Sequence, residues 1–294
     1  MKRLLIFGCN GFVGANLAAL AASQGIAVYG ADTAGEAAIP LAGYRKADIA
    51  DASEVAACFS TFSPDAVVNT AAIANIDFAE QNPALAQAVN VTGAGNIARC
   101  CAEADARYVF FSSDAVFDGI NGGYREDSPK NPVNHYGKTK SDAEDVVHAI
   151  LPSAIILRIS LVIGFSSTGG NSFLGGMEKA LQSGKTLACP QREVRTPIDV
   201  LTLCESIMEL MDSHFAGVIH LGATDSVDRL SLSRMAAQGM GLDTALLVPA
   251  GPPEAARARR HEKGVLDVSL ARQMLTTPML STRDGIARAL TTRP

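Results

Sequence analysis

Residues 3–23 read RLLIFGCNGFVGANLAALAAS, and this stretch decides the fold. A short apolar run (residues 4–7) meets glycines at 8, 11 and 14 and passes into an alanine- and leucine-rich segment with helical spacing (residues 12–23). Strand, glycine turn, helix is the setting in which a glycine repeat cradles a dinucleotide. One glycine permits the tight turn, another lets the backbone approach a pyrophosphate, and the third lets helix and strand pack closely. Phosphates then sit on free N–H groups at the positive end of the helix. Gly8, Gly11, Phe12, Val13 and Gly14 are therefore candidate cofactor contacts, in the spacing GxxGxxG.

The rhythm continues outward. Apolar runs at residues 27–31, 66–69, 108–112 and 154–160 read as strands, and residues 53–62, 83–104 and 136–150 as helices, the first with Ser53 as a plausible N-cap. Strand–helix alternation at this spacing predicts an α/β fold, a doubly wound parallel sheet of the Rossmann kind covered on both faces. Asp32 closes the second strand, 18 residues after Gly14. A carboxylate there accepts both ribose hydroxyls and repels a 2′-phosphate, so NAD(H) is favoured over NADP(H). Asp48, with Ile49 beside it, stands where the third strand should end. It reads either as a partner for the adenine amino group or, with Asp51, as a helix N-cap pair.

After residue 164 the pattern changes. A Ser/Gly-rich loop (residues 165–172) precedes helices at 173–183 and 200–212 and a strand at 217–221. A helix near 232–240, a short strand at 246–248, a Pro/Arg-rich connector (residues 251–263) and helices at 269–275 and 281–290 follow. The division expected is a nucleotide-binding domain at residues 1–164, with the chain returning to its sheet at about 196–221. Residues 165–195 and 222–294 form a smaller C-terminal α/β lobe that shapes the substrate.

Tyr136 and Lys140 form YxxxK. At i and i+4 on a helix, phenol and ammonium share one face. The ammonium is expected to draw the tyrosine pKa toward neutrality and make it a usable acid or base. Ser112 and Ser113 end the strand YVFFS, at the sheet edge where open α/β folds place their ligands.

These segments together resemble the extended short-chain dehydrogenase/reductase superfamily, and within it the dTDP-4-dehydrorhamnose reductase group of sugar-nucleotide reductases. The resemblance rests on GCNGFVG (residues 8–14), VVNTAAIANIDFAEQNP (67–83), VNVTGAGNIA (89–98), FFSSDAVFDG (110–119), YREDSPKNPVNHYGKTKSDAE (124–144) and LRISLVIG (157–164). It implies that Ser113 polarises a substrate carbonyl, with Asp114 beside it at the substrate. It implies that Tyr136 is the general acid and that Lys140 contacts the nicotinamide ribose. Ala71 and Ala72 would line the cofactor, and Asn90 would have a structural or proton-relay role. Arg195 would meet a sugar-nucleotide diphosphate. Arg260, in the cluster Arg257, Arg259, Arg260, His261 and Lys263, would supply a second phosphate contact, unless that run is simply a solvated face. Two positions depart from the group: Ala115 stands where it usually has tyrosine, and Leu161 where it usually has tryptophan. Both family rings lie near the sugar, so the identity of the sugar stays open.

The activity so implied is NAD(P)H-dependent reduction of a nucleotide-activated keto-sugar, in a cytoplasmic homodimer. The alternatives are a nucleotide-sugar epimerase and a non-catalytic cofactor-binding subunit like the one accompanying methionine adenosyltransferase. Composition excludes other classes. In 294 residues the net charge is −5 and aromatics are 5% with no tryptophan, which leaves neither the basic surface nor the stacking platform that nucleic acid needs. The apolar run after Lys2 and Arg3 breaks at Gly8, too short for a signal peptide, and no apolar run is long enough to span a membrane. The six cysteines include no CxxC pair, and the five histidines show no metal-ligand spacing, so no metal is expected.

Overall fold

A computed structural model describes residues 1–168, 172–251 and 257–293. Parts of the loop at 165–172 and of the connector at 251–263 lie outside the described residues. Strand β1 (Arg3–Phe7) leads through the glycine turn into helix α1 (Phe12–Ser23), and then come β2 (Ala27–Asp32), β3 (Gly43–Lys46), α2 (Ala52–Phe62) and β4 (Ala66–Asn69). Asp51, not Ser53, caps α2, accepting from the N–H groups of Ser53 and Glu54; its carboxylate reaches both first-turn donors from just outside the helix.

The helix expected over 83–104 is instead a continuous run with a widened middle. Helix α3 (Ile76–Gln81) and helix α4 (Pro83–Gln87) come first. Residues 88–93 then form a π turn, and α5 (Ala94–Ala104) follows. The π turn carries Asn90 inward, where its amide pairs with both N–H and C=O of Ile73 at 2.8 and 3.1 Å. Such turns commonly mark functional sites. Strand β5 (Arg107–Ser113), α6 (His135–Ile150) and β6 (Ile155–Ile159) complete the first half.

Beyond β6 lie β7 (Leu161–Ile163), α7 (Phe173–Gln182), β8 (Leu187–Cys189), β9 (Val194–Arg195), β10 (Pro197–Asp199), α8 (Val200–Asp212) and β11 (Gly217–Leu221). The chain ends through β12 (Val227–Asp228), α9 (Arg229–Gly239), β13 (Leu247–Pro249), β14 (Lys263–Gly264), α10 (Ser269–Met274) and α11 (Thr282–Leu290).

The main sheet has seven strands in the order β11-β6-β5-β4-β1-β2-β3, all parallel. Order reverses between β1 and β4, which opens a crevice at their carboxyl ends where ligands settle in such sheets. Residues Leu4, Leu5, Ile6 and Phe7 are all fully buried because both faces are covered. One apolar layer packs α1 and α8 on the sheet, and a second packs α2, α5 and α6 on the other face. A third core, around Leu174, Leu181, Leu230, Leu232 and Leu247, builds the C-terminal elements against three small sheets. Among the described residues no helix is long and apolar enough to cross a membrane. The cysteines are free thiols, all buried except the half-buried Cys100.

Candidate active site

The glycine turn packs its backbone too closely for side chains at Gly8 and Gly14. Gly8 has φ +79°, and a Cβ there would lie 2.7 Å from the Ala71 nitrogen. A Cβ at Gly14 would overlap the Gly8 carbonyl oxygen. Gly11 caps α1 without any side-chain bond to the first turn, and no acidic residue occupies that turn. The N–H groups of the helix start are thus left for an external anion, on the positive end of the helix dipole. Phe12 and Val13 are half-buried there, and Ala71 and Ala72 sit half-buried just past β4, with the Ala71 backbone packed against Gly8.

Asp32 ends β2 with its carboxylate accepting from Asn10 N–H at 3.2 Å and Ala34 N–H at 3.3 Å. Asn10 also bonds the Glu36 carbonyl and the Ala38 N–H, so it fixes the loop after β2 against the glycine turn. That positioning role was not visible in the sequence, where Asn10 is only a variable position of the motif. Asp48 accepts from Ala50 N–H at 2.9 Å and so shapes the turn before α2. Ile49 is 4% exposed and packs on Gly93, with its carbonyl bonded by Asn96; its side chain belongs to the core, because Gly93 leaves it room.

Ser113, Tyr136 and Lys140 come together at the carboxyl end of β5. Asn134 caps α6 by accepting from Gly137 N–H at 2.8 Å. Gly137 has no Cβ to strike the Ala115 carbonyl oxygen, and this lets α6 approach the turn after β5 closely enough to set Tyr136 beside Ser113. Asn90 adds a bond to the Thr139 hydroxyl at 2.9 Å, on the turn between Tyr136 and Lys140. The two serines of β5 diverge. Ser112 donates to Glu144 within the helix–sheet layer, whereas Ser113 donates to Asp114 Oδ1 at 3.0 Å and accepts from Ala115 N–H at 3.1 Å.

The charge states differ from the sequence expectation. Lys140 is 3% exposed, donates to the Phe111 carbonyl at 2.8 Å and lies 5.0 Å from the Phe110 ring centre. Burial lowers its pKa to about 8 against the opposing pull of Glu144. The Tyr136 phenol is not drawn toward neutrality. Burial pushes it up to about 12, the Asp114 charge adds to that, and the Ser113 hydroxyl opposes it. Lys140 is engaged by β5 rather than by the phenol. The Tyr136 phenol is consequently neutral at ordinary pH.

The arginines expected at phosphates are held within the protein. Arg195 is 8% exposed and donates to the carbonyls of Val194, His261 and Glu262, with its Nε 3.5 Å from Asp114. Arg260 makes a bidentate pair with Asp77 at 2.6 and 3.0 Å. The resemblance implies that both meet a diphosphate; in the folded chain their donors go to carbonyls and a carboxylate. A guanidinium that sequence reading passed over, Arg229 at the first turn of α9, lies 4.2 Å from the Phe173 ring centre. The two line a cavity of about 330 Å³ with Met177, Leu187, Cys189 and Ser233. Burial lowers the Arg229 pKa, Glu193 opposes that and Arg195 adds to it. Among the described residues no group of three or more His, Cys, Asp or Glu side chains is placed to hold a metal.

Comparison with known proteins adds the following. The family model described as the RmlD substrate binding domain matches residues 1–293. A probable low-salt glycan biosynthesis reductase of Haloferax volcanii is 30% identical over 90% of this chain and 89% of its own. The dTDP-4-dehydrorhamnose reductase of Mycolicibacterium smegmatis is 28% identical over 98% of this chain and 85% of its own. The crystal structure of dTDP-4-dehydrorhamnose reductase from Bacillus anthracis, in complex with NADP, superposes with a TM-score of 0.89 at 24% identity, covering 99% of each chain.

Proposed function

Since the chain belongs to the RmlD substrate binding domain family, in the dTDP-4-dehydrorhamnose reductase group of the extended short-chain dehydrogenase/reductases, we propose that it reduces the keto group of a nucleotide-activated sugar with a nicotinamide cofactor. The observation that carries this reading is the meeting of Ser113, Tyr136 and Lys140 at the carboxyl end of β5, two strands along the same sheet edge from the glycine turn after β1. The cofactor, when bound, supplies a hydride to the carbonyl carbon. Residues 8–14 would hold its pyrophosphate and Asp32 would take the ribose hydroxyls, which supports NAD(H) over NADP(H).

This chain's own groups manage the oxygen. Tyr136 stays protonated until negative charge develops on the carbonyl oxygen, and then transfers its proton there. Ser113, whose proton rests on Asp114 Oδ1, turns that proton to the same oxygen as the charge develops. Lys140, a cation in a buried setting, stabilises the phenolate that remains. The nucleotide end of the substrate lies in the cavity beside α7 and α9, with Arg229 as its phosphate partner in place of Arg195. A reducing compartment suits the free thiols, and a homodimer, to be checked by sedimentation, completes the reading.

The test uses dTDP-4-dehydrorhamnose as the probe and follows loss of reduced nicotinamide. Net consumption marks a reductase, while an epimerase returns its hydride and consumes none. Tyr136→Phe should nearly abolish turnover, and Ser113→Ala should slow it about 100-fold, the scale of one lost oxyanion donor. A Tyr136→Phe protein of wild-type rate overturns the mechanism.

A further inference from the structure

Asp114 follows Ser113 directly, is 2% exposed, and is enclosed by groups from elsewhere in the chain. Ser160, just past β6, donates to its Oδ2 at 2.6 Å. Arg195 of β9 approaches the same oxygen at 3.5 Å. His261 brings Nε2 to 3.0 Å from it, off the direction of an aligned hydrogen bond. His261 is itself 4% exposed, and its Nδ1 has no partner among the described residues. Space for this contact is built into the backbone. A Cβ on Gly264 would overlap Asp114 Oδ2 and lie 2.6 Å from His261 Nε2, and a Cβ on Gly119 would lie 2.5 Å from His261 Cβ. The other carboxylate oxygen, Oδ1, takes the proton of Ser113.

The segment carrying His261 is bound like a strap. Ala258 N–H and the Arg260 guanidinium both bond Asp77, and Asn134, the cap of α6, donates to the Arg259 carbonyl. Arg195 bonds the carbonyls of His261 and Glu262, while Lys263 N–H bonds the Gly119 carbonyl. His261 thus reaches Asp114 from a backbone fixed on both sides.

We propose that His261 is a positioning residue for the reaction: it holds the Asp114 carboxylate so that Oδ1 fixes the Ser113 hydroxyl beside Tyr136. Without it, a buried anion next to Ser113 keeps only Ser160 and Arg195 on Oδ2 and is held less firmly, and the Ser113 hydroxyl bonded to Oδ1 loses its fixed direction. The effect belongs to turnover and not to cofactor capture, because His261 touches neither the glycine turn nor Asp32. Burial alone would raise the Asp114 carboxyl; His261, Arg195 and Ser160 outweigh that and bring it to about 2, in keeping with the geometry.

The inference rests on Ser113 and Tyr136 as the reacting pair, which Tyr136→Phe tests separately. His261→Phe should lower kcat about tenfold to a hundredfold, the scale of taking one close polar partner from a buried charged group, with the Kd for reduced nicotinamide unchanged. His261→Gln keeps a donor and should recover most of the rate. Should His261→Phe not fold, Gly264→Ala, which crowds the same contact, takes its place. The decisive measurement is a double-mutant cycle with Asp114→Asn: the pair should be no slower than Asp114→Asn alone, whereas additive losses overturn the proposal. A second reading needs no substrate. The Asp114 carboxyl, followed by 13C NMR, should titrate higher in His261→Phe than in the wild type; an unchanged titration overturns the proposal. If Tyr136→Phe is inactive and His261→Phe is not impaired, this inference alone fails.

Discussion

Lys140 sets the pH behaviour of the site at the scale of single residues. It is a cation below its pKa of about 8 and loses that charge above it, while Tyr136, pushed to about 12, stays protonated throughout. The profile of kcat/KM for the cofactor should therefore fall as pH rises through about 8, and Lys140→Met should lose that limb along with most of the activity. Arg229 has a different signature. Arg229→Ala should raise KM for the nucleotide sugar at least about tenfold with kcat little changed, since a contact made equally in ground and transition states affects binding alone. Arg195→Ala, by contrast, should appear as lost stability. Residue identities were legible because Tyr136 and Lys140 repeat at helical spacing and Ser113 ends an apolar strand. Their charge states were not, because burial and the partner on β5 are properties of packing. Arg195 and Arg229 show the same limit: a guanidinium's donors are allotted by carbonyls and rings far away in the chain.

Helix α6 works at the scale of the element, bringing Tyr136, Lys140 and Glu144 along one side to β5. Its approach depends on Gly137, whose missing Cβ makes room for the Ala115 carbonyl. Gly137→Ala should destabilise the protein by about 1–3 kcal/mol, the usual cost of overpacking, and should lower kcat as the helix withdraws from Ser113. Thermal unfolding and turnover of one preparation check both. The strands and most helices could be read from apolar runs and their spacing, since a parallel strand covered on both faces is nearly all hydrophobic. Helix α3 could not, being a single short segment between turns with an exposed Phe78. The π turn at residues 88–93 was equally hidden, because the bonds that Asn90 makes from it go to Ile73, outside the helix.

A buried ion pair ties the layers together at the scale of the whole molecule. Arg158 of β6 grips Glu144 of α6 through two bonds of 2.7 and 2.8 Å, both side chains 4% exposed, and Ser112 of β5 joins them. Glu144→Gln leaves a buried guanidinium without its counter-charge and should cost about 3–5 kcal/mol in denaturant unfolding. The sheet order was readable in outline, because strand–helix alternation admits few topologies. The closing of the site by residues 257–264 was not, because each of its contacts joins positions far apart in sequence and a charged run looks alike whether solvated or anchored. That strap also has a meaning in time. The glycine turn leaves the ribosome first, yet the layer that covers β1 and β4 is completed by α8 and by Val268, Ala271 and Met279, so the sheet orders as a unit only late in synthesis. Ser113 and Tyr136 follow, yet the histidine that steadies Asp114 arrives more than a hundred residues later. On the proposed reading, grip on the cofactor and competence for turnover therefore arrive together, once the late-made segments have docked.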